Sequence, residues 1–204
     1  MQFNSHTHIP VMEHFYTIQG EGYYTGHAAY FIRLAGCDVG CVWCDVKESW
    51  TVEEHQLMLI DDLIKEILKY PARLVVITGG EPLMYELSYL TKKIKENGFQ
   101  INIETSGAYP ISGMLDWICV SPKKFKQPLK EVLAKADELK CIIFNKTDFD
   151  FAEGNGKHVT ENCRLYLQTE WSKRVQITPL LVDYVKNNPK WNISVQTHKY
   201  LDIP

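Results

Sequence analysis

Leu74-Val75-Val76-Ile77-Thr78-Gly79-Gly80-Glu81-Pro82 is the stretch that decides the fold. Its unbroken apolar, mostly β-branched start predicts a strand buried on both faces, as the interior of a parallel sheet requires. The glycine pair permits a tight turn and a close approach of backbone to a ligand. Pro82 suits the first position of a helix. That helix is predicted to carry Leu83, Leu87, Leu90 and Ile94 on one stripe and to stop at Asn97-Gly98. Before the decisive strand, apolar residues at 60, 63, 64, 67 and 68 have helical spacing and end at Pro71. Earlier still, residues 29–34 read as a first strand ending at Gly36. After the second helix, residues 100–103, 117–120, 139–144, 165–167 and 193–196 read as strands, and residues 128–136 as a helix. Thr178-Pro179 supplies an N-cap and a first-turn proline for a helix reaching about residue 187. Strands alternating with helices imply crossover connections. The prediction is an α/β fold, a partial, open β/α barrel of about six mostly parallel strands, formed as one domain over residues 1–204. Its functional groups belong at the C-terminal ends of the strands.

The composition agrees with a globular protein: of 204 residues, 45% are hydrophobic and 23% charged. Lys and Arg number 22 against 25 Asp and Glu, a net charge of −3 that offers no basic surplus for nucleic acid. No apolar run approaches the roughly 18 residues of a membrane span. The start MQFNSHTHIP lacks the basic and apolar regions of an export signal, so the expected location is the cytoplasm.

Cys37, Cys41 and Cys44, three of the six cysteines, fall within eight residues directly after the first strand. That spacing suits one metal centre better than disulfides between distant loops. Soft thiolates select zinc or an iron–sulfur cluster. A closed zinc site needs a fourth ligand, for which His55 is the nearby candidate. A cubane cluster held by three cysteines leaves one iron open to a ligand. Cys119, Cys141 and Cys163 are widely separated beside apolar runs and read as core thiols. The Gly79-Gly80-Glu81 turn reads either as a plain strand-to-helix connection or as a ligand site using helix-start N–H groups and Glu81.

The cysteine loop after one strand, GGEP after the next and Glu104-Thr105-Ser106-Gly107 after a third together resemble the radical S-adenosylmethionine (SAM) superfamily, whose compact fold is then implied. The resemblance narrows with residues 15–22 (FYTIQGEG), 31–37 (FIRLAGC), 117–123 (WICVSPK), Glu138-Leu139-Lys140 and 196–204 (QTHKYLDIP), which are similar to the 7-carboxy-7-deazaguanine synthase family of the queuosine and 7-deazapurine pathway. This resemblance implies ring contraction of 6-carboxy-5,6,7,8-tetrahydropterin with loss of ammonia. A deoxyadenosyl radical takes hydrogen from C6, the hydrogen later returns, and SAM is regenerated. It also implies a homodimer and a reducing donor such as flavodoxin or ferredoxin.

Residue by residue, the resemblance assigns Cys37, Cys41 and Cys44 to a 4Fe-4S cluster. SAM is assigned Trp43, Cys44, Asp45, Gly80, Glu104, Ser121, Pro122, Lys123, Gln168, Thr169, Glu170 and Trp171. The pterin is assigned Ile18, Gln19, Gly20, Arg33, Thr78 and Pro204, and His198 is added because an imidazole can hydrogen-bond a pterin edge, the alternative being a satisfied structural histidine. No side chain is given a catalytic role, because the cofactor carries the radical. A guanidinium at position 33 suits the substrate carboxylate, the alternative being an ordinary ion pair. The family commonly holds Mg2+ through a hydroxyl directly after the third cysteine and aspartate. Here that position is Val46, which has no oxygen to offer, so the ion is expected to bind weakly, to use Asp45, Glu48 or Ser49, or to be dispensable. A radical activase of another protein and a non-enzymatic zinc or cluster module are the competing readings. Neither explains both chain ends together with GGEP.

Overall fold

The computed structural model describes residues 7–42, 44 and 46–204. Nine strands form one sheet: β1 His8–Ile18, β2 Ala28–Leu34, β3 Leu57–Leu59, β4 Leu74–Gly79, β5 Gln100–Thr105, β6 Trp117–Val120, β7 Glu138–Ile143, β8 Arg164–Thr169 and β9 Trp191–Ser194. Their order is β3-β1-β2-β4-β5-β6-β7-β8-β9. From β2 to β9 every neighbouring pair is parallel, and β1 runs antiparallel to both β2 and β3. The helices are α1 Ile60–Ile67, α2 Ser88–Glu96, α3 Lys130–Leu133, α4 Thr147–Gly156, α5 Arg174–Asn187 and α6 Thr197–Leu201.

The strands' two-residue period sorts their side chains between two faces. Tyr30, Ile32 and Leu34 of β2, Val75 and Ile77 of β4, and Ile101 and Ile103 of β5 pack with α1 and α2 residues such as Leu63, Ile67, Leu90 and Ile94. Farther along the sheet, Leu139, Cys141, Ile143 and Leu167 pack with Val132, Phe149, Ala152, Ile177 and Leu181 of α3, α4 and α5. The alternate residues Phe31, Arg33, Thr78, Glu104, Lys140, Ile142 and Gln168 line a cavity on the other face. The sheet curls around that cavity. The Gly20 carbonyl accepts from Thr197 N at 2.9 Å and Gly22 N donates to Ser194 Oγ at 3.0 Å, joining the β1 end of the sheet to the β9 end.

The mostly parallel, open arrangement follows the sequence expectation, and Cys119, Cys141 and Cys163 are buried as anticipated. Three local boundaries differ. Pro82 opens only a 3-10 turn, Pro82–Met84, because Tyr85 is extended and α2 begins at Ser88. α5 starts at Arg174, so Pro179 lies inside it rather than at its first position. Glu170 accepts from the amides of Ser172 and Lys173, capping a 3-10 turn that runs straight into α5. The last strand ends at Ser194, with Trp191 as its buried anchor, and Ile193 and Val195 remain exposed.

Candidate active site

The cavity, about 290 Å³, opens at the C-terminal ends of the parallel strands. Cys37, Cys41 and Cys44 lie on its wall, on the loop leaving β2. Gly36 N donates to Ser49 O at 2.6 Å and Cys37 N to Trp50 O at 3.2 Å, which fastens the start of this loop. The glycine pair after β4 explains itself here. Gly80 N donates to Leu34 O and Glu81 N to Gly36 O, each at 2.9 Å. A Cβ on Gly80 would stand 2.1 Å from the Gly36 oxygen and 2.9 Å from Cys37 Cβ, so only glycine lets the two loops touch.

Of the two readings of this turn, the connection is the one these contacts display, although Gly79, Gly80 and Glu81 also line the cavity. Those two amides are spent on the cysteine loop. Glu81 is 1% exposed. Its carboxylate accepts from Leu83 N (3.1 Å), Thr105 Oγ1 (2.5 Å), Ser106 N (2.8 Å) and Ser106 Oγ (2.5 Å), so it clamps the loop after β4 to the loop after β5.

The three thiols suit a soft metal cluster. Burial pushes the thiols of Cys37 and Cys41 up, Cys41 to about 11, and the charges of the neighbouring cysteines add to the rise. Crowded thiols that resist ionisation alone are stabilised as thiolates by iron or zinc. Among the described residues no three His, Cys, Asp or Glu side chains are close enough to chelate one ion, so the cysteines face a common space without closing on it. His55 does not line that space and sits beside Glu53 at 3.2 Å.

Of the residues assigned to SAM, Gly80, Glu104, Ser121, Lys123, Gln168, Thr169, Glu170 and Trp171 line the cavity. Pro122 is buried beside it and does not. Trp43 and Asp45 lie outside the described residues. Lys123 Nζ donates to Ser121 O and Oγ at 2.7 and 2.6 Å, and burial pushes its ammonium down from the usual lysine value. The Gln168 carbonyl oxygen accepts from Ser194 Oγ at 2.6 Å, while Glu170 is engaged in its capping turn.

All seven residues assigned to the pterin line the same cavity: Ile18, Gln19, Gly20, Arg33, Thr78, His198 and Pro204. Arg33 forms an ion pair and also lines the cavity. Its Nε donates to Glu13 Oε1 at 2.6 Å, and its side chain still borders the cavity. His198 packs on Gly20, where a Cβ would come within 2.3 Å of the imidazole Nδ1. Thr17 Oγ1 donates to the Pro204 carbonyl oxygen at 3.4 Å, so the end of the chain is stapled across β1.

The sequence reading missed Glu21, Lys140 and Gln196, which complete the cavity floor. Lys140 Nζ stands 2.5 Å from Glu21 Oε2 and 3.2 Å from Glu104 Oε2. Gln19 Nε2 donates to Glu104 Oε1 at 2.8 Å and Gln196 Nε2 to Glu21 Oε1 at 3.0 Å. The available signal was Glu138 and Lys140 at alternate positions of an otherwise apolar parallel strand, where a charge has no solvent to face. Val46 lines the cavity, with Ser49 behind it donating to the Val46 carbonyl at 2.7 Å, whereas Glu48 is exposed and lies outside the lining.

Comparison with known proteins bears on this geometry. Residues 31–143 match the model of the radical SAM superfamily. A 7-carboxy-7-deazaguanine synthase of Flavobacterium psychrophilum is 57% identical over 196 residues, covering 96% of this chain and 93% of the relative. The synthase of that name from Escherichia coli K12 is 36% identical over 221 residues, covering 95% and 98%. The crystal structure of QueE from Escherichia coli superposes with a TM-score of 0.85 at 34% identity, covering 94% of this chain and 95% of that one. Among the described residues no helix is long and apolar enough to cross a membrane.

Proposed function

The chain belongs to the radical SAM superfamily and, within it, to the 7-carboxy-7-deazaguanine synthases, and from that premise we propose how its cavity contracts 6-carboxytetrahydropterin to 7-carboxy-7-deazaguanine with loss of ammonia. The observation that carries the assignment is that three cysteines, the assigned pterin residues and most of the assigned SAM residues open onto one cavity. Membership of the superfamily implies a 4Fe-4S cluster, SAM and a source of reducing electrons. When bound, cluster and cofactor supply a carbon-centred radical able to remove a hydrogen atom from the substrate.

The chain's own residues bind, orient and exclude water. Cys37, Cys41 and Cys44 would hold the cluster, as three thiolates facing one space. Glu104, at the end of β5, would accept from the cofactor ribose, and Lys123 and Gln168 line the same cavity. Arg33 keeps its Nε on Glu13 and turns its terminal nitrogens to the pterin carboxylate, a planar match of two donors to two acceptors. Gln19, Gly20 and His198 form the wall against the pterin ring, and the Pro204 end closes over it. The Gly20–Thr197 bond seals the gap between the sheet's ends, so the reacting carbon is held away from water and stray hydrogen donors.

The whole chain acts as one domain and pairs as a homodimer, with flavodoxin or ferredoxin as donor; family resemblance supports these points. Mg2+ contributes little here, because Val46 puts a hydrocarbon side chain at the family's hydroxyl position. The test is anaerobic turnover of reconstituted protein with SAM, reductant and 6-carboxytetrahydropterin, with and without Mg2+, followed by mass spectrometry. The expected result is 7-carboxy-7-deazaguanine with shallow Mg2+ dependence, steepened by Val46→Thr. Deoxyadenosine without that product would overturn the substrate. Steep, saturable activation that Val46→Thr leaves unchanged would overturn the metal reading.

A further inference from the structure

The cavity floor holds a charge cluster that neither the cysteine motif nor the pterin wall accounts for. Lys140 points inward from β7 with its side chain only 3% exposed. A lysine this deep is costly unless paired and hydrogen-bonded. Its ammonium bridges Glu21, on the loop after β1, and Glu104, at the end of β5. Each carboxylate holds a second partner through its other oxygen: Gln196 Nε2 on Glu21 and Gln19 Nε2 on Glu104. The Gln19 carbonyl oxygen also accepts from Glu21 N at 3.0 Å, closing the network into a ring.

We propose that Lys140 is a positioning residue that holds Glu21 and Glu104 side by side as paired acceptors, so that SAM and the pterin are bound through one shared ion-pair network. This rests on the reading of Glu104 as the ribose acceptor and of Gln19, Gly20 and His198 as the pterin wall. Both ends of the network touch those assignments: Glu104 at one end, and Glu21 between Gln19 and Gln196 at the other.

The electrostatic surroundings leave Lys140 as the nearest counter-charge. Glu21 faces Lys140 from β7 and His198 from α6. Lys140 faces Glu21, Glu104, Glu138 and the Cys119 thiol, and its charge is also felt by the buried Lys123. Burial alone pushes Glu21 up, yet the attraction and hydrogen bond of Lys140 outweigh it and hold the carboxyl at about 2. With the ammonium removed, the burial that pushes Glu21 up is no longer opposed by Lys140, and a protonated carboxyl presents a donor where an acceptor is needed.

The test is Lys140→Gln, which keeps a hydrogen-bond donor and removes the charge, with Lys140→Arg as the conservative variant. Affinities of the reconstituted proteins for SAM and for 6-carboxypterin, an oxidised substrate analogue, are measured by calorimetry from about pH 6 to about pH 8. The variant-to-wild-type ratio cancels the ligands' own titration. The expected result is both ligands bound roughly thirtyfold or more weakly by Lys140→Gln near pH 6, where the carboxyl left without its counter-charge is protonated and no longer accepts. The deficit narrows as pH rises, and Lys140→Arg recovers most of the affinity. Glu104→Gln separates the two readings. If it weakens SAM binding while the Lys140→Gln deficit is absent or independent of pH, the Lys140 proposal falls and the ribose reading stands. If it leaves SAM binding unchanged, both fall. Should Lys140→Gln not fold, Lys140→Met is read by the same criteria.

Discussion

Glu21 shows how a single ion pair couples this cavity to stability. Its folded value of about 2 lies below the ordinary 4.5, despite burial, because Lys140 favours the charged form. A carboxyl depressed on folding contributes stability that is present above about 4.5 and is lost as pH falls through about 2. A difference of this size corresponds to at most about 3 kcal/mol at neutral pH. Urea denaturation of the apoprotein is expected to show Glu21→Gln less stable than wild type at pH 7, with the gap closing as pH falls below about 4. A gap that stays constant with pH would mean that Lys140 does not hold the Glu21 charge.

At the level of elements, the loops after β4 and β5 are joined by Glu81, and the loops after β2 and β4 by the glycine pair. Glu81→Ala strands the Thr105 hydroxyl and the Ser106 and Leu83 amides in a buried place. The expected loss is about 2–4 kcal/mol, read from the urea midpoint at an unchanged slope. A loss below about 1 kcal/mol would show that the clamp is dispensable. The strand alternation that builds this region was legible: residues 74–77 and 100–103 announce buried strands, and the polar residues ending them mark the cavity. β1 was not, because Pro10 sits within it and a register shift between Val11 and Glu13 breaks the two-residue period. α5 was misplaced because Thr178-Pro179 has the chemistry of a helix start, while the cap that operates is Glu170, ahead of a short 3-10 turn. Among site residues, the cysteines and glycines announce themselves by spacing, whereas Glu21 and Lys140 find each other only when β1 and β7 come together across the curled sheet.

For the whole molecule, the curl of the sheet is what turns separate strand ends into one chamber. The cysteine loop comes from the β2 end, Ile18, Gln19 and Gly20 from the β1 end, His198 and Pro204 from the last residues, and Glu104 from β5, all lining one cavity. A single chamber for both ligands requires C6 of the pterin to lie within hydrogen-transfer reach of the cofactor. Turnover of 6-carboxytetrahydropterin bearing deuterium at C6, followed by mass analysis of the recovered cofactor, measures that directly. Deuterium in the recovered SAM and 7-carboxy-7-deazaguanine as product are the expected result. Product formed while the recovered SAM stays unlabelled would contradict it.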